Sequence, residues 1–544
     1  MEANLADIFE LAVDTFPDRE YLVTEHGRRT YREMDRRANR LAHFLADNGI
    51  GPGDHVGIYA YNCLEWVETL WAVFKLRAVW VNVNYRYVAG ELRHIFSNAD
   101  LDALVYARRF GPRVAEVTDV LGDVGLIRIE DGSGIEDPVT PTADYEAALA
   151  AGSDARGFPA RSGDDHYILY TGGTTGLPKG VVWRHEDVFY ALGGGLNPMT
   201  NVRYSSPAEL VQEAAEQGPV TFFPLAPLMH GASQWGVMGQ AFKGNRVVLL
   251  DHFDATDIWR MVERERVNVL FITGDAMARP LIEALDVPGA DHDTSSLVAV
   301  TSTAALFSQS VKDQFFDRFP TIVVTDSIGS SEGGAQGVSY ASAGQRMSGG
   351  PTVTSLTGTL VIDEHFRPVP PGSGVIGMVA RTGHIPLCYY NDPVKSAATF
   401  PVVDGVRYAI PGDYARVEAD GTVTMLGRGS VSINSGGEKI FPEEVETALK
   451  SHLGVWDATV IGVPDERWGE RVAAIVQLRP GHAATLPELQ DHLRGHLAGY
   501  KLPRQLHLVE EIVRSPSGKP DYTWAKKVAT TGPATEVSAP ALKD

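Results

Sequence analysis

Short apolar runs alternate with amphipathic helical stretches through most of this chain, and that alternation restricts the fold more than any other feature. A helix is predicted from Thr30, where Glu33 completes a capping box; Met34, Ala38, Leu41 and Leu45 share one face and Gly49 stops it. A strand over 56–59, a helix over 64–75 and the apolar run 79–83 follow. Further on, strands at 247–250, 269–272, 297–300 and 322–324 accompany a helix over 254–265 with Ile258, Met261 and Val262 inward. Strands separated by helices imply α/β layers with much parallel pairing. Near residue 375 the pattern turns to glycine-rich, strand-like segments that end at 423–428. Beyond lies a compact unit: a helix over 442–453 with Val445 and Leu449 inward, strands at 458–463 and 473–478, and a helix opened by Thr485 and Glu488 and striped by Leu489, Leu493 and Leu497. The expected fold is a large multi-layer N-terminal α/β domain over 1–427 and a smaller C-terminal α+β domain over 428–528. A polar, Pro-bearing tail over 529–544 is expected to be loose.

Length agrees, since 544 residues exceed what one core organises. The formal charge of -21, from 48 basic and 69 acidic residues, argues against nucleic acid as a partner. Cys63 and Cys388 are far apart in sequence, which excludes a disulfide framework and Cys-rich metal sites and fits a reducing compartment. The opening MEANLADIFE lacks the basic and apolar regions of a secretory signal, and no apolar run approaches a membrane span. These features predict a cytoplasmic enzyme; a homo-oligomer is compatible with them.

The chemistry concentrates in loops at predicted strand ends. The apolar run 167–170 leads into Thr171-Gly172-Gly173-Thr174-Thr175-Gly176, with Lys179 close behind. Glycines let backbone N–H groups approach phosphate oxygens, and the threonines add hydroxyl donors. This is not a Walker A loop, because Leu177-Pro178 separate Gly176 from the lysine and no Ser/Thr follows it. Alone, the run reads about equally well as a polar turn. Its companions come in order: His230 in PLMHG; the small residues Ser302, Thr303, Ala304 and Ala305, suited to the approach of a flat ring; and Asp326-Ser327-Ile328-Gly329-Ser330-Ser331-Glu332, whose glutamate suits Mg²⁺. Asp413 in PGD suits sugar hydroxyls, Arg428 closes the large domain, and Lys519 stands on an apparent turn in SPSGK. Singly, each reads better as structural. Together, at strand ends, they match where open α/β sheets bind ligands.

With the ordered set YTGGTTGLPKG, PLMHG, DSIGSSEGG, PGD, GRGSVSINSGGEKIFPEEVE, YKLPR and SPSGK, the chain resembles the adenylate-forming superfamily along nearly its whole length. WRHED, FITGDAMARP, STAALFS and DSIGSSE make it most similar to actinobacterial acyl-CoA ligases that activate sterol side-chain carboxylates. The resemblance implies attack of a carboxylate on the α-phosphorus of Mg-ATP, release of pyrophosphate, and displacement of AMP by the thiol of coenzyme A.

It also implies roles. Thr171 to Lys179 would hold the β- and γ-phosphates and Glu332 the Mg²⁺. Ser302 to Ala305, with Asp326 to Gly329 and Ser331 beside them, would line the adenine. Asp413 would bind the ribose, with Arg428 next to it, and Lys519 would bridge α-phosphate and carboxylate. His230 would sit between acyl pocket and thiol entry, and Gly436, Gly437 and Lys439 would belong to the coenzyme A side once the small domain turns. Trp235, Gly274, Met277 and Thr303 are candidates for the acyl pocket, read equally well as core. The chain departs from the pattern at Ser430, where the hinge usually carries a charge, at Ile328, where an aromatic is common, and at Cys388. Substrates are thus expected to be ATP, coenzyme A and a large apolar acid, a sterol side-chain carboxylate first and a fatty acid second. A ligase that loads a carrier protein, a luciferase-type or aryl-acid enzyme, and a nucleotide-binding regulator are the rivals; Lys179, Glu332, Asp413 and Lys519 weigh against the last.

Overall fold

The computed structural model describes residues 3–173, 176–287, 291–344, 352–435, 438–465, 468–515 and 518–536. Two large sheets and one smaller sheet organise it. In the first, Val79–Asn82, His55–Tyr59, Leu101–Ala107 and Gly125–Ile129 are parallel, and the antiparallel hairpin His166–Gly173/Gly176–Arg184 joins beside Val79–Asn82. In the second, Glu20–Val23, Arg246–Val248, Thr221–Pro224, Val269–Ile272, Ala299–Thr303 and Val323–Ser330 neighbour one another in that order, all parallel. The sheet then turns antiparallel at Gly334–Ala341 and continues to Val423–Arg428 and Asp413–Val417. The carboxyl ends of its parallel strands therefore face one side, where residues 225–231, 273–275, 303–305 and 330–332 lie.

The helix Leu64–Lys75 shows how burial overrides amphipathicity. Every residue but Glu65 is buried, so the helix is enclosed nearly all round and its buried polar residues must find partners within the core. Its last residue, Lys75, is fully buried and paired with Glu10 of helix Leu5–Thr15 and, at 2.7 Å, with Asp35 of helix Tyr31–Asp47. One ammonium thus ties three helices.

The strands after Arg428 form their own sheet, in which Gly469–Leu478 pairs with Ile433–Ser435, Val455–Asp465 and Gln505–Val509. Helices Pro442–Lys450 and Leu486–Arg494 bury Val445, Leu449, Leu489 and Leu493 into one core there, while Tyr522–Thr531 packs Ala525 and Ala529 into another against Ile461 and Ile475. The chain is a two-domain α/β protein, and we propose Arg428 as the boundary between its large and small lobes.

Several elements differ from expectation. The strand Val323–Ser330 runs through the DSIGSSE motif instead of ending before it, because Gly334–Ala341 pairs along its length. Leu497 falls past the helix that ends at Arg494, yet still packs on the same core. The segment expected to loosen at 529 stays in helix to Thr531, and Thr535–Glu536 pairs with Gln505–Leu506. Among the described residues no helix is long and apolar enough to cross a membrane.

Replacing Lys75 by Met leaves the Glu10 and Asp35 carboxylates without their shared cation, although Arg161 and Arg156 still reach them. The expected cost is about 3 kcal/mol, the low end for breaking a buried pair, read as a lowered denaturant midpoint with unchanged slope.

Candidate active site

The Gly/Thr segment is a hairpin, not a free loop. Thr171 pairs with Lys179 and Gly173 with Gly176, so both strands reach its tip. Extended glycine backbone allows the ladder to continue that far; Thr174 and Thr175 lie outside the described residues, as do the side chains at 172–176. The far strand also pairs with Cys388–Tyr389. That brings the Tyr389 ring to 5.5 Å from the Lys179 ammonium, whose nearest carboxylate is Asp392 at 3.5 Å. A partly exposed pair of this kind contributes little and exchanges readily for a better anion.

The second sheet delivers the next groups. His230 precedes helix Gly231–Phe242, with Nε2 buried and lacking a hydrogen-bond partner among the described residues. Gly274 takes φ +59°, and a Cβ there would lie 2.3 Å from the Leu306 carbonyl, so only glycine fits. Its N–H donates to the buried Ser302 hydroxyl at 3.1 Å. Thr303 donates to the Ser327 carbonyl and Ser327 to the Ser302 carbonyl, at 2.9 and 3.1 Å. Ala304 adopts φ +64°, turning the chain sharply before Ala305. These bonds make the small residues a fixed wall. Asp326 contributes structure: its carboxylate pairs with Lys312, which opposes the upward push of burial on its pKa. Ile328 is half-buried against Val353 and its neighbours. The Ser331 carbonyl accepts from Trp183 Nε1 at 3.0 Å, fixing the turn that carries Glu332.

Glu332 is the centre of a charged cluster. Its Oε1 accepts the Tyr389 hydroxyl at 2.8 Å. Burial and that carboxylate hold the phenol well above the usual tyrosine range. Asp413 and Arg428 face each other across paired strands, with Arg428 Nε 3.1 Å from the carboxylate. Burial pushes the Arg428 guanidinium down, but Asp413 and Glu332 outweigh it and leave it above its ordinary value. The small lobe supplies Lys519. Gly518, at φ +72°, lies so close to the Thr273 carbonyl that a Cβ would be 2.9 Å away. Lys519 keeps solvent access between the lobes; desolvation and then Arg428 lower its ammonium pKa, while Glu332 and Asp413 oppose the shift.

Glu332, Asp413, Arg428 and Lys519 therefore lie within electrostatic reach of one another, Lys179 approaches them through the Tyr389 ring, and His230 is within the electrostatic reach of Lys519. Gly274 and Thr303 stand at adjacent strand ends and Met277 in the first turn of helix Asp275–Leu285, whereas the Trp235 ring backs onto Gly231 within helix Gly231–Phe242. Gly436 and Gly437 lie outside the described residues, as do the side chains of Ser430 and Lys439. Sequence reasoning missed Tyr389, which stands 57 positions from Glu332, and Arg514. Arg514 donates through Nη1 to the Gly518 carbonyl at 3.0 Å and holds Asp457 through Nε and Nη2 at 2.6 and 2.7 Å. Tyr389 sits in one sheet and Glu332 follows a strand of the other, so only the folded chain brings them together. The Glu332 carboxylate, oriented through Oε1 by Tyr389, suits Mg²⁺, which takes one or two carboxylates and the phosphates of its nucleotide.

Residues 9–389 match the family model for AMP-binding enzyme and residues 444–519 that for AMP-binding enzyme C-terminal domain. The chain is 52% identical over 545 residues to a 3-oxocholest-4-en-26-oate–CoA ligase of Rhodococcus rhodochrous, covering 99% of this chain and 98% of that one. It is 50% identical over 543 residues to a medium/long-chain-fatty-acid–CoA/3-oxocholest-4-en-26-oate–CoA ligase of Mycolicibacterium smegmatis, with 99% and 98% covered. Its fold is that of the anthranilate CoA ligase AuaEII in complex with anthranoyl-AMP (TM-score 0.83, 22% identity, 97% and 99% covered). ATP-bound MatB from Rhodopseudomonas palustris is similar too (TM-score 0.80, 23% identity, 98% and 100% covered).

Burial, with Lys519 and Arg86 nearby, lowers the His230 pKa from 6.5 to about 3. Between those values the unfolded chain binds a proton at this position and the folded chain does not, so this group's contribution to stability is lost as pH falls from 6.5 toward 3. A titration followed by NMR is expected to show a neutral His230 imidazole down to pH 5, and His230→Gln to flatten the acid limb of the stability profile.

Proposed function

The chain belongs to the AMP-binding enzyme family, and from that premise we propose that it is an AMP-forming acyl-CoA ligase for a large apolar acid, first a sterol side-chain carboxylate and second a medium- or long-chain fatty acid. What supports the reaction is that Lys519, on the small lobe, lies within electrostatic reach of Glu332, Asp413 and Arg428, while Gly518 beside it packs on Thr273 of the large lobe. The relatives named for cholestenoate and fatty acids support the acid class.

The chemistry follows from charge. A carboxylate is a poor target for a thiol, and converting it to an adenylate supplies AMP as a leaving group. As the acid oxygen attacks the α-phosphorus, negative charge grows on the phosphoryl oxygens and on the departing pyrophosphate, and fixed cations and donors lower that barrier. The hairpin from Thr171 to Lys179 holds the β- and γ-phosphates, with Lys179 giving up Asp392 for them. Mg²⁺, when bound, neutralises phosphate charge, and Glu332 is the residue that holds it, oriented by the Tyr389 hydroxyl. The wall of Ser302, Thr303, Ala304 and Ala305 and the strand through Ser327, Ile328 and Gly329 receive the adenine. Asp413 accepts from the ribose hydroxyls while Arg428 fixes its direction. Lys519 binds the acid and α-phosphate oxygens together, which both neutralises their repulsion and aligns them. Burial and Arg428 push its pKa down, and each anion that arrives opposes that push by favouring the protonated form. For thioester formation the small lobe turns and withdraws Lys519, and neutral His230 stands between acyl group and entering thiol. Coenzyme A is the acceptor in this reading, which the relatives named as CoA ligases support.

Lys519→Ala is expected to lower acid-dependent pyrophosphate release by about 10²–10³-fold while nucleotide binding survives; unchanged release defeats the role of Lys519. A screen of thioester formation over sterol, fatty and aryl acids, with free coenzyme A and with a phosphopantetheinylated carrier, is expected to favour a sterol acid and free coenzyme A. Preference for an aryl acid or for the carrier rejects this assignment.

A further inference from the structure

Helix Asp275–Leu285 of the large lobe turns one face toward the small lobe. Asp275, Arg279 and Glu283 recur every four residues and so share that face. The Arg279 guanidinium lies 5.2 Å from the centroid of the Trp456 ring, and Arg479 lies 5.3 Å from the same ring. Trp456 thus carries one cation from each lobe. Arg279 is 4% exposed, and neither its Nε nor its Nη1 has a hydrogen-bond partner among the described residues. A guanidinium in that position is costly unless something faces it. An aromatic face supplies the attraction, and Asp275, 3.3 Å from Nη2, supplies part of the counter-charge.

Both ends of this contact lead into the site. On the large-lobe side, Asp275 accepts from the Ser308 N–H at 2.8 Å, and its own N–H donates to Leu306 at 2.8 Å, fastening the helix to the segment that follows Ala305. On the small-lobe side, the next residue after Trp456 is Asp457, which receives Lys450 at 2.9 Å and both arms of Arg514. Arg514 in turn holds the Gly518 carbonyl, one residue before Lys519. The line from Arg279 to Lys519 therefore passes through two consecutive residues of one strand. The interface is not closely packed: a cavity of about 60 Å³ opens between Asp275, Ala276, Arg279, Pro280, Trp456 and Asp457. A directional but loosely filled contact suits lobes that dock for one step and part for the next.

We propose that Arg279 and Trp456 are positioning residues for adenylation, registering the small lobe on the large one so that Lys519 reaches the reacting carboxylate and α-phosphate. The proposal rests on the ligase reading above and specifies which contact selects its first half-reaction. Neither residue touches substrate; each acts through the placement of Lys519.

The two half-reactions separate the outcomes. Acid-dependent exchange of pyrophosphate into ATP reports adenylation; release of AMP from preformed acyl-adenylate by coenzyme A, without ATP, reports thioester formation. Trp456→Ala and Arg279→Met are each expected to lower the kcat of exchange about tenfold with the KM for ATP unchanged, since docking energy is lost but the nucleotide groups of the large lobe are not. The thioester half-reaction is expected to stay within about twofold, which also shows that the variants are folded. Trp456→Phe, which keeps a ring face, is expected to restore most of the exchange rate, and the double variant to be no worse than either single one. Undiminished exchange in Trp456→Ala, or equal losses in both half-reactions, overturns the proposal. Absence of acid-dependent exchange in the unaltered protein sinks the ligase reading itself, and the positioning role with it.

Discussion

The ammonium of Lys519 is the interaction on which the rest of this molecule converges. It stands beside the guanidinium of Arg428, an unfavourable neighbour in a partly desolvated cleft, and is tolerated because the Glu332 and Asp413 carboxylates share the same space. The balance is close to neutral only while the cleft is empty of phosphate. A triphosphate and a carboxylate bring anions that two cations answer and two carboxylates resist, unless one carboxylate takes a metal ion and the other takes hydroxyl donors. The division of labour between Glu332 and Asp413 follows from that accounting.

Precision at such a site comes from its supports. The adenine wall is made of small residues, and small residues alone place nothing; they are fixed by the hydroxyls of Ser302, Thr303 and Ser327 and by the glycine backbone at 274. Those bonds lie in the segment that Asp275 fastens to its helix, and that helix is the surface on which the small lobe rests. Nucleotide pocket and mobile lysine thus share one rigid element, so an error in docking is felt directly as an error in the distance between Lys519 and the reacting atoms.

Local signals in the sequence proved reliable where physics is local. The capping boxes at Thr30 and Thr485 form as read, and the helix over 64–75 and the strand over 269–272 have the expected limits. Expectations failed where a partner distant in sequence decides the outcome. The strand through Asp326 to Ser330 is longer than its apolar run because an antiparallel neighbour extends the ladder, and the Gly/Thr segment is drawn into a hairpin by its own antiparallel partner, Gly176–Arg184. Asp326, read as part of the adenine wall, also carries an ion pair with Lys312 that its motif does not announce. Tyr389, Arg279, Trp456 and Arg514 carry no motif; each matters through a contact that only the folded chain creates.

The most direct measurement is a crystal structure with a stable acyl-sulfamoyl-adenosine mimic of the sterol adenylate. The expected result is a mimic seated at the strand ends, with the Asp413 carboxylate on its ribose, Glu332 nearby, and the Lys519 ammonium within hydrogen-bond distance of the linkage between acid and nucleoside. A mimic bound at the same strand ends with the small lobe docked, yet with Lys519 directed away from that linkage, would contradict the role on which everything else here depends.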